Sequence, residues 1–249
     1  MRQRFKALAV QLAFSTLAIL VIYGIVRMVW FPGPYFRIAG VAQILWVLIG
    51  VNAALGPLLT FVVFDHAKKS LRFDLAIIVL MQVVALAYGL YMIQSERPRY
   101  MVFAVDRFNV LAAKDVDAGA IADQRFRDRP FAGPLMLVAQ LPKDQDQLSR
   151  LLDETLLQAK PDIERRPEYW SLYSDNFHQA LLAAKPLSSL RDARPAAAAE
   201  IDRAIAKSGR EPGDLLFLPV VGKRQDFAVL LDRKDGKIVD AIAVDPWLK

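Results

Sequence analysis

Three long stretches without a single charge lie within the first 93 residues: Ala7–Val26, Ile38–Phe64 and Leu75–Ile93. A helix needs about 20 apolar residues to cross the ~30 Å hydrocarbon core of a bilayer. Each stretch reaches that scale, and the second is long enough to tilt or kink. Core helices of water-soluble proteins are shorter and keep a polar stripe on one face. The pattern therefore predicts a three-helix transmembrane bundle over residues 1–94, with spans near 7–26, 38–64 and 75–93. A separate domain follows over 95–249. Met1–Lys6 resembles the start of a secretory signal. The apolar stretch after it is longer than the usual ~7–15 residues, and no small-residue cleavage site follows, so a retained anchor is expected.

Charge sharpens the division. The chain has a net charge of +6 and a pI near 9.5. The first 93 residues hold eight Lys and Arg against Asp65 and Asp74, while the remaining 24 bases and 24 acids cancel. All of the excess charge thus borders the apolar stretches, and the second domain gives no electrostatic case for binding nucleic acid. Three bases precede the first span, three lie in the loop Asp65–Asp74, and two lie in the loop Arg27–Arg37. The positive-inside rule then puts the N-terminus in the cytoplasm and the C-terminal domain outside it, in the periplasm. Trp30, Phe31, Tyr35 and Phe36 fit an interfacial aromatic belt.

Within the spans the polar residues are few, and none is ionisable. Proton and ion pathways rest on ionisable groups at membrane depth, so a transporter is not expected. Gly50 and Ala54, and Asn52 and Gly56, sit four apart, and Ala85 and Gly89 repeat the spacing. Small residues at that interval let helices approach closely, and Pro57 is expected to kink the second span near Ala53. This face serves either to pack the bundle or to dock another transmembrane helix. Gln82 is suited to an interhelical hydrogen bond.

The second domain reads as α+β with a mainly antiparallel sheet. Strands are expected at Tyr100–Leu111, Leu135–Leu141, Leu215–Val221, Phe227–Arg233 and Lys237–Val244, the last two flanking an Asp235-Gly236 hairpin turn. Helices are expected at Asp117–Arg125, at Asp144–Ala159 with Asp144 as cap, in part of Tyr169–Ala184, and at Pro195–Ser208 before Gly209. Only Ser95–Arg99 links the third span to the first strand, which holds the domain near the membrane surface. Asp106-Arg107 stands out inside an apolar strand. Read as neighbours on one strand, the two side chains face opposite ways and do not pair with each other. Asp245-Pro246-Trp247 is expected to anchor the last strand.

No nucleophile, phosphate-loop, dinucleotide or metal-ligand motif is present, and the chain has no cysteine. His66 and His178 fall on opposite sides of the membrane in this topology. The expectation is a protein without enzyme activity, cofactor or metal.

Several segments together resemble one family. These are Leu55–Phe64, then Leu71-Arg72-Phe73-Asp74-Leu75, Gln82 and Ala87-Tyr88-Gly89-Leu90, then Arg97-Pro98 leading into Tyr100, Val102-Phe103 and Val105-Asp106-Arg107-Phe108, and the closing Asp245-Pro246-Trp247. In order and spacing they are similar to the type IV pilin accessory proteins, the TfpX/TfpZ group. The likeness covers residues 30–115 best, and an acidic residue is common in that group where this chain has Asn52. The resemblance implies an inner-membrane, chaperone-like helper of a cognate major type IV pilin, acting on pilus assembly or surface display. It supplies no catalytic residues. The expected partner-binding set is Gly50, Asn52, Gly56, Pro57, Gln82, Asp106 and Arg107. The partners are the pilin and the lipid bilayer. The alternative is a membrane-anchored periplasmic ligand-binding or sensor protein, although the short cytoplasmic segments leave no room for an output domain.

Overall fold

A computed structural model describes residues 2–50, 71–128, 132–222 and 225–248. The chain divides into two compact units: Met1–Trp30 with Val41–Glu96, and Phe31–Gly40 with Arg97–Lys249.

The first unit is helical. α1 (Arg2–Ile25) ends in a π-helical turn, Val26–Trp30. A four-residue helix belonging to the second unit, α2 (Tyr35–Ile38), precedes α3 (Ala42–Gly50). The rest of the second apolar stretch lies outside the described residues. α4 (Leu71–Ser95) carries Asp74 in its first turn, where a carboxylate meets the positive end of the helix dipole. Leu48 of α3 lies against Gly89 of α4, where a Cβ would collide with it. Gly89 therefore does the close-approach work expected of a small residue. Leu80, Val84, Tyr88 and Tyr91 of α4 all stand exposed. Three spans were expected; among the described residues only Ala76–Ser95 is long and apolar enough to cross a membrane, and Ser15–Trp30 is apolar over a shorter length.

The second unit is α+β around one eight-stranded sheet. Its strands are β1 (Pro98–Ala104), β2 (Arg107–Ala112), β3 (Leu135–Ala139), β4 (Trp170–Leu172), β5 (Lys185–Pro186), β6 (Leu215–Val221), β7 (Phe227–Asp232) and β8 (Ile238–Ile242). They run in the order β4-β3-β1-β2-β6-β7-β8, and β5 pairs with β6. The sheet is mainly antiparallel, as expected, but it is mixed, because β1 pairs with β3 and β2 with β6 in parallel at its centre. Successive residues of each strand feed opposite faces. On one face Met101, Phe103, Phe108, Val220, Val229 and Leu231 form a single cluster. On the other, Tyr100, Val102 and Leu137 belong to a second cluster, and Phe217, Ala228 and Leu230 to a third. Both faces are buried, which is why the strands read as continuous apolar runs.

Helices supply the cover. α5 (Gln124–Arg127) puts Phe126, and α6 (Gln145–Leu157) puts Leu151, into the second cluster. α7 (Tyr173–Ala183) covers the first cluster with Tyr173 and Ala180. α8 (Leu187–Ala193) and α9 (Ala198–Ser208) cover the third with Leu187, Leu190, Ile201 and Ala204. Caps fall where the sequence placed them. Asp144 accepts from the Gln147 amide at 3.0 Å, and Gly209 closes α9 at φ +64°.

Phe31–Gly40 departs from expectation. Ile38 belongs to the first cluster, and the Tyr35 hydroxyl points at the Met101 sulfur, 3.4 Å away. Arg37 Nη2 donates to the Ala241 carbonyl at 3.0 Å. Tyr35 thus serves the core of the second unit rather than an interfacial belt. Burial pushes its phenol above the ordinary range.

The loop after α6 is held by ions. Arg166 spans Glu154 at 2.6 Å and Glu168 at 2.9 Å, and Lys160 reaches Glu154 at 3.1 Å. These cations hold the Glu154 carboxyl below its usual range, Arg166 contributing first. A lowered folded value gives stability that is present above the ordinary glutamate pKa and is lost as pH falls through the lowered one. Melting temperatures of wild type and Glu154→Gln are therefore expected to differ at neutral pH and to converge well below pH 4.

Candidate functional site

The stretch read as one strand over 100–111 is a hairpin. β1 and β2 pair antiparallel with Ala104 opposite Arg107, so Val105-Asp106 forms the turn. Val105 adopts φ +59°, and the Asp106 amide donates to the Ala104 carbonyl at 2.7 Å. A β-branched residue in that conformation is uncommon and carries strain. Val105 is 62% exposed, so packing is not what holds it there.

The turn overturns the expectation for its two charges. Arg107 Nε lies 2.8 Å from Asp106 Oδ1, because a turn lets neighbours approach where a strand would separate them. Both side chains are about half exposed. The Arg107 guanidinium also stacks on Trp247, 4.8 Å from the ring centroid.

Trp247 is fixed from three sides. Its indole N–H donates to Asp226 Oδ2 at 2.7 Å, and its amide donates to Asp245 Oδ1 at 3.1 Å. Its carbonyl accepts from Arg194 Nη2 at 2.8 Å, and the same nitrogen pairs with Asp245 at 2.6 Å. The closing Asp-Pro-Trp is therefore a latch from the end of the chain onto the hairpin tip. Asp106 also lines a cavity of about 160 Å³ with Lys185, Phe217, Pro219, Pro246 and Trp247. It lies where β2 pairs with β6 at Val220 and β5 pairs with it at Phe217, with no strand between them. One acid, Asp106, and one base, Lys185, stand in this otherwise apolar lining. No group of three His, Cys, Asp or Glu stands together for a metal among the described residues.

Of the expected partner-binding residues, Asp106 and Arg107 come together at this tip. Gly50 closes α3 with no described residue within 4 Å of a Cβ there, and Gln82 lies half-buried on α4; both belong to the first unit. Asn52, Gly56 and Pro57 fall outside the described residues. Sequence reasoning found Trp247 through the closing motif but missed Arg194, Asp226 and Lys185. A double-mutant cycle on Arg107→Ala and Trp247→Ala is expected to give a coupling of about 0.5–1 kcal/mol in thermal or denaturant unfolding.

The chain is similar to fimbrial assembly proteins of Dichelobacter nodosus. It is 29% identical to the serogroup E1 protein over 256 aligned positions, covering 99% of this chain and 98% of that protein, and the serogroup I protein gives the same figures. It is 31% identical to the protein of serogroups C1 and C2 over 121 positions, covering 46% of this chain and 92% of that protein. No family model and no solved structure matches it. On likeness that runs the length of these relatives, the chain belongs to the family of fimbrial assembly proteins.

Proposed function

We propose that the protein is a bacterial inner-membrane accessory factor of the TfpX/TfpZ kind, which binds a cognate major type IV pilin and modulates its assembly or display without catalysing a reaction. The observation that carries the pilus role is the near full-length likeness to fimbrial assembly proteins.

The membrane placement has a separate support. Phe31–Gly40 and Arg97–Lys249 fold as one unit, so both segments lie on the same side of any bilayer the chain crosses. The chain between them must then cross an even number of times. Ala76–Ser95 supplies one crossing, and the apolar stretch 41–64 is the segment able to supply the other. The stretch 7–26 makes a third crossing and leaves the basic N-terminus in the cytoplasm.

In this reading the pilin's apolar helix packs beside the spans and its globular head meets the Asp106–Arg107 tip. Full-length protein purified in detergent is expected to retain cognate pilin, and deletion of the gene to reduce pilus number. Arg107→Ala is expected to lower pilin recovery several-fold while leaving folding intact. Recovery of no pilin, together with unchanged pilus number, overturns the proposal.

A further inference from the structure

A second cavity, of about 460 Å³, lies at the start of β1, away from the hairpin tip. Its floor is apolar, formed by the buried Val116 and Ile121, Ala118 lies exposed at its rim, and two guanidinium groups, Arg99 and Arg127, line it. This volume is in the range of small-ligand sites, which combine an apolar wall with a few placed polar groups.

Both arginines are held in place by backbone rather than by acids. Arg127 donates through Nε and Nη2 to the Ile121 carbonyl, at 2.9 and 2.6 Å. Arg99 donates through Nη2 to the Arg127 carbonyl and through Nε to the Tyr100 hydroxyl at 3.1 Å. That hydroxyl donates in turn to the Phe126 carbonyl at 3.0 Å, so the loop 121–127 is stitched to β1. A guanidinium has five N–H donors, and among the described residues these bonds leave Nη1 of each arginine unused. Neither arginine pairs with a carboxylate among the described residues. The nearby acids Asp115 and Asp117 accept instead from backbone amides, of Ala112 at 2.7 Å and Gly119 at 2.9 Å. Two fixed guanidinium groups, neither of them in an ion pair among the described residues, above an apolar floor match a phosphate whose oxygens accept guanidinium N–H bonds in a fork.

The position in the chain narrows the source of that phosphate. Arg99 is four residues past Ser95, the last residue of α4. Four residues of extended chain reach about 14 Å at most. If α4 spans a bilayer, which is the membrane placement proposed above, the cavity is tethered close to the lipid headgroups. We propose that this cavity is a phosphate-binding site that takes the headgroup of an anionic phospholipid.

The test uses the full-length protein in a neutral detergent. Calorimetric titrations would compare inorganic phosphate, short-chain phosphatidylglycerol and short-chain phosphatidylcholine. Phosphatidylglycerol is expected to bind, and binding to loosen about tenfold in Arg127→Gln. Ala118→Glu adds a negative charge at an exposed rim position and keeps both arginine anchors, so it guards against misfolding of the first variant; it is expected to abolish binding. Tighter binding of phosphatidylglycerol than of inorganic phosphate supports the lipid source, whereas equal binding of the two assigns the site to free phosphate and overturns that source. No binding of any phosphate probe, or binding unchanged in Ala118→Glu, overturns the site. Pilin recovery from the same preparations is a separate readout, so loss of one proposal is distinguishable from loss of the other.

Discussion

Ile38→Asp is expected to unfold the second unit while the helical unit stays intact. Ile38 is 1% exposed and sits among Met101, Phe103, Phe108 and Val220 on one face of the sheet. A carboxylate there has no partner, and burying an unpaired charge costs several kcal/mol. The expected loss is about 4 kcal/mol or more, a large share of the ~5–15 kcal/mol that holds a typical domain together. Ile38→Val keeps the shape and is expected to cost about 0.5–1.5 kcal/mol. Limited proteolysis and thermal unfolding of the full chain measure both. If Ile38→Asp melts like wild type, the segment 31–40 is not part of that core.

An all-or-none result is expected from cysteine labelling. The natural chain contains no cysteine, so each introduced thiol is the sole reporter. Ser188 is exposed on α8, and Ala39 is half-buried in the segment that packs with the sheet. An impermeant maleimide applied to cells with a permeabilised outer membrane is expected to label Ser188→Cys fully and Ala39→Cys more slowly. Ser70→Cys, in the second basic loop, is expected to react only after lysis. Labelling of Ala39→Cys and Ser188→Cys on opposite sides overturns the even number of crossings between them. Labelling of Ser70→Cys in intact cells inverts the proposed orientation.

What could be read from the chain followed from strong local chemistry. Asp144, Gly209 and the apolar run 215–221 each act through neighbours a few residues away, and the sequence displays those neighbours directly. The β1–β2 turn was hidden because Val105-Asp106 offers only one turn residue, Asp106, beside a β-branched valine and inside an apolar run, with no glycine or proline to mark the reversal. Reading through it turned two strands into one and placed Asp106 and Arg107 on opposite faces. β4 and β5 have three and two residues, too short for an alternating pattern to register. Tyr35 and Phe31 misled for a different reason: aromatic residues between apolar stretches suit a bilayer interface and a protein core equally well. At the candidate site, two charges inside an apolar run marked Asp106 and Arg107. Arg194 and Asp226 gave no such mark, because their role depends on tertiary contact with the far end of the chain.

The insertion of Phe31–Gly40 into the second unit also sets a schedule for synthesis. Ile38 leaves the ribosome about 200 residues before Ala241, whose carbonyl accepts from Arg37. At ~5–20 residues per second the segment waits about 10–40 s for the last of the strands it contacts. Strands β1 and β2, which carry Met101, Phe103 and Phe108, are made first, so over that interval Tyr35 and Ile38 are only partly covered. A holding factor that shields this segment during translation would therefore raise the yield of folded protein, and slow decoding between residues 41 and 241 would lower it.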